Sequence, residues 1–281
     1  MTYQKDIKIK LGIYKRKILK ELEDGIWKRT NGFYPHILPK DKWFNNLLPN
    51  YKPEFRTYLS KNKKIKLHQY FHHLNSSQAM CFNMFYPLIE EKKLDLLLDV
   101  LNIHGDSIDY NSACFEKESD IEKEPISELG IDKRPTCFDF YFRTKSGKKF
   151  HFEIKYTEER FAKAKYDNSH FAKYEAIYKN HCFPINSEYC NCISFLDNYQ
   201  LLRNLVHISE NSYVVFIYPE KNSKIKQQAE DAKSFLVKPE FQQRVINLTW
   251  ENLLEYLESV NLNSDKLTTQ MTDFKQKYCI E

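Results

Sequence analysis

Asp139, Glu153 and Lys155 have the residue types and spacing that phosphodiester hydrolysis uses. They fall in two segments of alternating pattern. In residues 136–142, Phe138, Phe140 and Phe142 share one parity while Cys137, Asp139 and Tyr141 share the other. In residues 149–156, Phe150, Phe152, Ile154 and Tyr156 alternate with His151, Glu153 and Lys155. Side chains of a strand point alternately to its two faces, so each segment reads as a strand with an aromatic core face and a chemical face. Residues 143–148 between them, with Gly147 where positive φ is wanted, predict a hairpin loop. An antiparallel hairpin then brings Asp139 beside Glu153 and Lys155. Carboxylate oxygens bind Mg²⁺, which polarises a phosphate and lowers the pKa of a bound water. The lysine can orient or activate that water, or stabilise charge on the pentavalent phosphorus. The plainer use of the same residues is a cross-strand salt bridge, which is worth little on a surface.

The elements that must carry this patch follow from periodicity and breakers. Residues 5–24 and 41–48 predict helices, joined by a turn-rich link around Asn31-Gly32 and Pro35. Residues 66–85 carry apolar residues at helical spacing, interrupted at Asn75-Ser76-Ser77, where Ser76 is a candidate N-cap, and Pro87 ends or kinks the helix. Leu94, Leu97, Leu98 and Leu101 mark a buried helical face over 89–103. A first strand is expected over 108–115, an acidic surface loop over 116–128, and helices over 157–178 and 193–206. A buried strand at 213–218, a helix near 224–236, a short strand at 245–248 and a helix over 250–260 complete the chain. The expected class is α/β: an α-β-β-β-α-β mixed sheet flanked by helices with an α/β tail. The division expected is a basic, aromatic-rich N-terminal extension at 1–66 and a main domain at 67–281.

The chemical residues, in this order of elements, resemble the PD-(D/E)xK nuclease superfamily. Pro135-Thr-Cys-Phe-Asp139 is followed, after thirteen intervening residues, by Glu153-Ile-Lys155. The aspartate here does not follow the proline directly, which departs from the superfamily's short form. Leu74-Asn-Ser-Ser-Gln-Ala-Met-Cys-Phe-Asn-Met-Phe85 and Tyr199-Gln-Leu-Leu-Arg-Asn204 resemble signatures of a bacterial group of restriction endonucleases in that superfamily, as do Thr136 to Asp139 and Glu153 to Glu158. The resemblance spans about 70 to 250 and implies a restriction-endonuclease-like core. It implies Asp139 and Glu153 as metal ligands, with the Ile154 carbonyl beside them, and Lys155 as the catalytic lysine. Glu116 is preferred over Glu90 as a third acidic ligand. Gln200 and Arg203, three apart on one helix, would line the site from the helix after the catalytic strand.

Composition narrows the alternatives. The six glycines, at 12, 25, 32, 105, 130 and 147, are too scattered for a phosphate-cradling loop or a dinucleotide fingerprint, and no Gly-x-Ser-x-Gly elbow is present. Phosphate must therefore be handled by a metal and by basic side chains. Mean hydropathy of -0.65 excludes a polytopic membrane protein. Seven cysteines without a paired framework, and no apolar signal segment at the N-terminus, point to a reduced, cytoplasmic setting. Residues 1–66 hold 17 Lys and Arg against 6 Asp and Glu, interleaved with Trp27, Tyr34, Trp43 and other aromatics. Lysine and arginine neutralise phosphates and exposed aromatics stack on bases, so this end is expected to contact nucleic acid.

Some residues stay open. His181, Cys182, Cys190 and Cys192 could supply four zinc ligands, but the Cys-x-x-Cys spacing is missing and buried cysteine is the commoner outcome. His68, His72 and His73 are expected to be packed or solvated. The reading is an Mg²⁺-dependent DNA endonuclease, with Mn²⁺ able to substitute, acting on duplex DNA as a restriction or defence enzyme. The alternatives are a repair or recombination nuclease, or a non-catalytic nucleic-acid-binding module with the same fold. Cutting both strands favours a homodimer.

Overall fold

A computed structural model describes residues 2–128 and 135–280. A five-stranded sheet has the order β3 (Ile108–Glu118), β4 (Cys137–Thr144), β5 (Lys149–Ile154), β6 (Ser212–Tyr218), β7 (Val245–Thr249), after a small hairpin of β1 (Gly25–Trp27) and β2 (Gly32–Tyr34). β3, β4 and β5 pair antiparallel, with Phe115 opposite Phe140 and Phe140 opposite Phe152. β5, β6 and β7 pair parallel, with Phe152 opposite Val215 and Val215 opposite Ile246. A parallel pair needs a crossover. The β5-to-β6 crossover holds α6 (Asn168–Ala176), α7 (Cys192–Asp197) and α8 (Tyr199–Leu205); the β6-to-β7 crossover holds α9 (Ser223–Asp231). The sheet is mixed and flanked by helices, as its patterning predicts.

Each face of the sheet has its own core. Phe140, Phe142, Phe150, Phe152, Val215 and Ile217 pack with α3 (Ser77–Glu90), α10 (Trp250–Ser259) and α11 (Asp265–Tyr278). Phe85 of α3 stacks on Phe140 with ring centroids 4.5 Å apart. Val214, Phe216, Tyr218 and Val245 pack on the other face with residues of α6 to α9. Each such side chain removed from water stabilises the fold by about 1.5–3 kcal/mol, and period-two patterning lets one strand serve both cores. Ile7 and Leu11 of α1 (Tyr3–Lys17), Leu38, Leu48 and Phe55 of α2 (Lys52–Lys61) are buried in the same core as α3 and α11. The buried Lys15 ammonium donates to the carbonyls of Glu23 and Ile37 and pairs with Asp24, fixing the start of the hairpin. Gly25 is required there, since a Cβ would lie 2.1 Å from the Leu38 carbonyl oxygen.

Several expectations are corrected. α1 stops at Lys17, residues 25–34 form the β1–β2 hairpin, and residues 40–46 form a 3-10 helix. Residues 66–76 are not helical; α3 starts at Ser77, with Ser76 accepting from the Ala79 N–H as its cap, and runs through Pro87 to Glu90. In 91–103 only α4 (Leu96–Val100) is α-helical. Residues 157–166 are also not helical; Phe161 and Ala164 pack in the second core from an irregular segment. The acidic stretch after 116 is no surface loop. β3 continues to Glu118, Glu122 is fully buried, and α5 (Lys123–Glu128) follows. The Glu122 carboxylate is compensated by the buried Lys173 ammonium at 2.7 Å, the Thr136 N–H and the Tyr178 hydroxyl. Phe138 does not join Phe140 and Phe142; its ring lies 4.6 Å from His151 and 4.9 Å from His207 on the other side. Alternation therefore breaks at Asp139.

Candidate active site

Register assembles the acidic residues. The register that pairs Phe115 with Phe140 and Lys117 with Phe138 sets Glu116 opposite Asp139, and Asp139 reaches β5 where its carboxylate accepts from the Ile154 N–H, next to Glu153. Three carboxylates thus form a row across three neighbouring strands, where β4 loses its alternation. Glu116 sits at φ 53°, in the left-handed region. A non-glycine residue there costs on the order of 1 kcal/mol and such residues cluster at functional sites. Its carboxylate is held by the Gln78 amide of α3 at 2.7 Å.

Glu153 is 5% exposed and carries three donors. Lys155 Nζ at 2.8 Å and Gln200 Nε2 at 2.6 Å reach Oε1, and Asn204 Nδ2 at 3.0 Å reaches Oε2. Asp139 Oδ2 accepts from the Ile154 N–H at 2.6 Å. Ile154 thus joins the site through its backbone, its side chain lying in the core. Arg203 lines the same cleft, its guanidinium over the Tyr199 ring, and its Nε has no hydrogen-bond partner. Gln200 is itself fixed, its Oε1 accepting from the Ala162 N–H.

The charges are unequal in their comfort. Burial raises the Asp139 carboxyl well above the usual range, and Glu153 and Glu116 raise it further. Burial also raises Glu116, with Glu153 adding to it. Burial opposes ionisation of Glu153 too, but Lys155 and Arg203 overcome it, so its pKa is lowered. Lys155 is disfavoured by burial yet raised by Glu153 and then Glu158, which keeps it an ammonium at neutral pH. As placed, Lys155 is a donor and a positive charge, not a base. Without metal the row therefore has one carboxylate kept ionised by Lys155 and two whose burial and like-charged neighbours favour the neutral form.

Among the described residues, no group of three or more His, Cys, Asp or Glu side chains is disposed to hold a metal ion unaided. Mg²⁺, however, commonly takes one or two protein carboxylates and completes its shell with waters and substrate phosphate. Asp139 and Glu153, with Glu116 next in the row, suit that partial set. The same finding removes the zinc option at His181, Cys182, Cys190 and Cys192. Cys190 Sγ instead points to the carbonyls of Cys182, Ile185 and Asn186.

The row forms the floor of an open cleft of about 2170 Å³ whose other walls include Lys8, Arg29, Lys63, Lys64 and Lys66. A family model described as Restriction Endonuclease associating with ARP matches residues 8–279. The chain belongs to this REase-ARP family. No curated protein and no solved structure matches it. The REase-ARP match takes in the basic N-terminal segment, well beyond the stretch of about 70 to 250 that the motifs span. No helix among the described residues is long and apolar enough to cross a membrane.

Two participants carry no role in the sequence reading. Gln78 lies inside the quoted 74–85 segment, and Asn204 ends the quoted 199–204 segment. Asn204 is four residues from Gln200 and so shares its helical face, a signal the three-residue spacing to Arg203 obscured. Gln78 has no such local signal, because its partners come from β3 and from residues 66–68.

Proposed function

We propose that this REase-ARP chain is a metal-dependent DNA endonuclease with a PD-(D/E)xK-type site, serving restriction or defence. The observation that carries the reading is the row of Glu116, Asp139 and Glu153 with Lys155, set at the bottom of a cleft with basic walls. Asp139 and Glu153 would hold Mg²⁺ or Mn²⁺, aided by the Ile154 carbonyl and Glu116. When bound, that ion supplies a polarised phosphate and a water of lowered pKa. Lys155, kept protonated, donates to charge that develops on the attacked phosphate, where a preset donor costs no reorganisation. Gln200 and Asn204 hold Glu153 in position, and Arg203 adds positive charge beside it. Cation-mediated chemistry suits a chain without a glycine-rich phosphate loop. The family description associates its members with ARP, so the proposed enzyme acts in association with ARP.

Calorimetric titration of Mn²⁺ tests the metal half of this reading. Wild type should bind, and Asp139→Asn, which keeps the shape but loses a charge, should bind far more weakly. Equal binding by both, or none by either with DNA present, would reduce Asp139 to a structural carboxylate.

A further inference from the structure

The cleft that holds the carboxylates has a wall that is aromatic as well as basic. In the β1–β2 hairpin, Gly25 pairs with Tyr34 and Trp27 with Gly32, so Trp27 and Tyr34 are diagonal neighbours on one face, centroids 5.7 Å apart. The rings continue without a gap: Tyr34 to His36 at 5.8 Å, His36 to His73 at 6.5 Å, His73 to Tyr70 at 4.9 Å and Tyr70 to His68 at 5.3 Å. All six line the cleft, and Trp27, Tyr34, Tyr70 and His68 keep exposed surface. The tract abuts the carboxylate row. Gln78 donates to Glu116 and to the Lys66 carbonyl and accepts from the His68 N–H, while Asn75 donates to Thr157, just past Lys155. Between the tract and the row runs a strap with Lys63, Lys64 and Lys66 exposed.

Rings of this kind recognise the faces of bases, and bases in a continuous duplex have their faces covered by their neighbours. Burial keeps His36 and His73 neutral, at about 4 and about 3, so they add aromatic surface and not charge. We propose that Trp27, Tyr34, Tyr70 and His68 form a subsite for unpaired nucleotides, whose bases stack on the rings while the 63–66 strap holds their phosphates. This rests on the nuclease reading and narrows its substrate: DNA with a single-stranded stretch flanking the scissile phosphate.

The experiment uses the full chain in EDTA, so hydrolysis plays no part and a failure of the metal chemistry would leave its readout intact. Fluorescence anisotropy measures binding of an oligothymidylate of roughly a dozen nucleotides and of a blunt duplex of equal length. Wild type should bind the single strand at least as tightly as the duplex. Trp27→Ala and Tyr70→Ala should each weaken single-strand binding by about fivefold or more, the loss expected for one stacked base, with duplex binding changed by less than about twofold. Tyr70→Phe keeps the ring and should bind like wild type, whereas Lys63→Ala should weaken both ligands. Unchanged single-strand binding in both alanine variants, equal loss for both DNAs in variants that melt like wild type, or a Tyr70→Phe variant as weak as Tyr70→Ala would overturn the subsite.

Discussion

Asp139→Asn should make the metal-free protein more stable while destroying its activity. The amide retains an acceptor for the Ile154 N–H and removes the charge that Glu153 and Glu116 oppose. Side chains facing each other across strands are about 5 Å apart. Two full charges at that distance repel by about 3 kcal/mol at an effective dielectric of about 20. Lys155, 2.8 Å from Glu153, cancels much of this, leaving a gain on the order of 1 kcal/mol, or roughly 2 to 4 °C in Tm. The sign has a pH signature. The folded-state pKa of Asp139 is raised, so the native protein binds this proton more tightly than the unfolded chain does, and the wild type loses stability as pH rises from the unfolded value through the folded one. The variant's advantage should be absent near pH 4 and grow toward alkaline pH. Metal should reverse it, because a ligand at a hundred times its Kd stabilises the native state by about 2.7 kcal/mol and the variant lacks a ligand charge. Thermal unfolding followed by fluorescence at several pH values, with EDTA and with Mn²⁺, gives all three comparisons. A variant less stable than wild type in EDTA at high pH would refute the argument, showing that Asp139 is a satisfied structural carboxylate.

Further outcomes follow from the same contacts. Gln78→Ala removes the amide that holds Glu116 and ties the basic strap to it; cleavage or Mn²⁺ affinity should fall about 10–100-fold, as for other residues that orient ligands, with calorimetry as the check. Changing Lys63 and Lys64 together to alanine should lower the slope of log affinity against log salt by about 2 for duplex DNA, since each phosphate contact contributes about 0.9. Lys173→Ala strands the buried Glu122 and should cost about 3–5 kcal/mol in urea unfolding; an unchanged midpoint would mean that Glu122 is protonated in the fold.

The hairpin is legible because β4 and β5 each place two alternating phenylalanines, Phe140 and Phe142 and Phe150 and Phe152, in one core. The Ser76 cap was legible for a local reason, a hydroxyl three residues before an N–H with no helical partner. Phe138 was not, because its displacement depends on His151 and His207 offering a site on the far face, and no single strand's pattern encodes that. α11 is hard to read from sequence although Leu267, Met271, Phe274 and Tyr278 form a stripe at helical spacing. Thr268, Thr269 and Thr272 lower its propensity, and packing against α3 outweighs them. The β1–β2 hairpin depends on Gly25 meeting Leu38 and on Lys15 reaching Asp24 and the Ile37 carbonyl, contacts outside the reach of a strand or helix period. Within the site, Glu116 is reachable from its place at the end of the first strand, near the start of the second, whereas Gln78 needs the fold.

Cleavage of supercoiled plasmid tests the central claim most directly. Wild type with Mg²⁺ or Mn²⁺ should convert it to nicked and linear forms, EDTA should stop the conversion, and Lys155→Ala should abolish it while binding DNA with unchanged affinity, because the ammonium acts on the transition state. Conversion by Lys155→Ala at the wild-type rate, or wild-type conversion that persists in EDTA, would contradict the account.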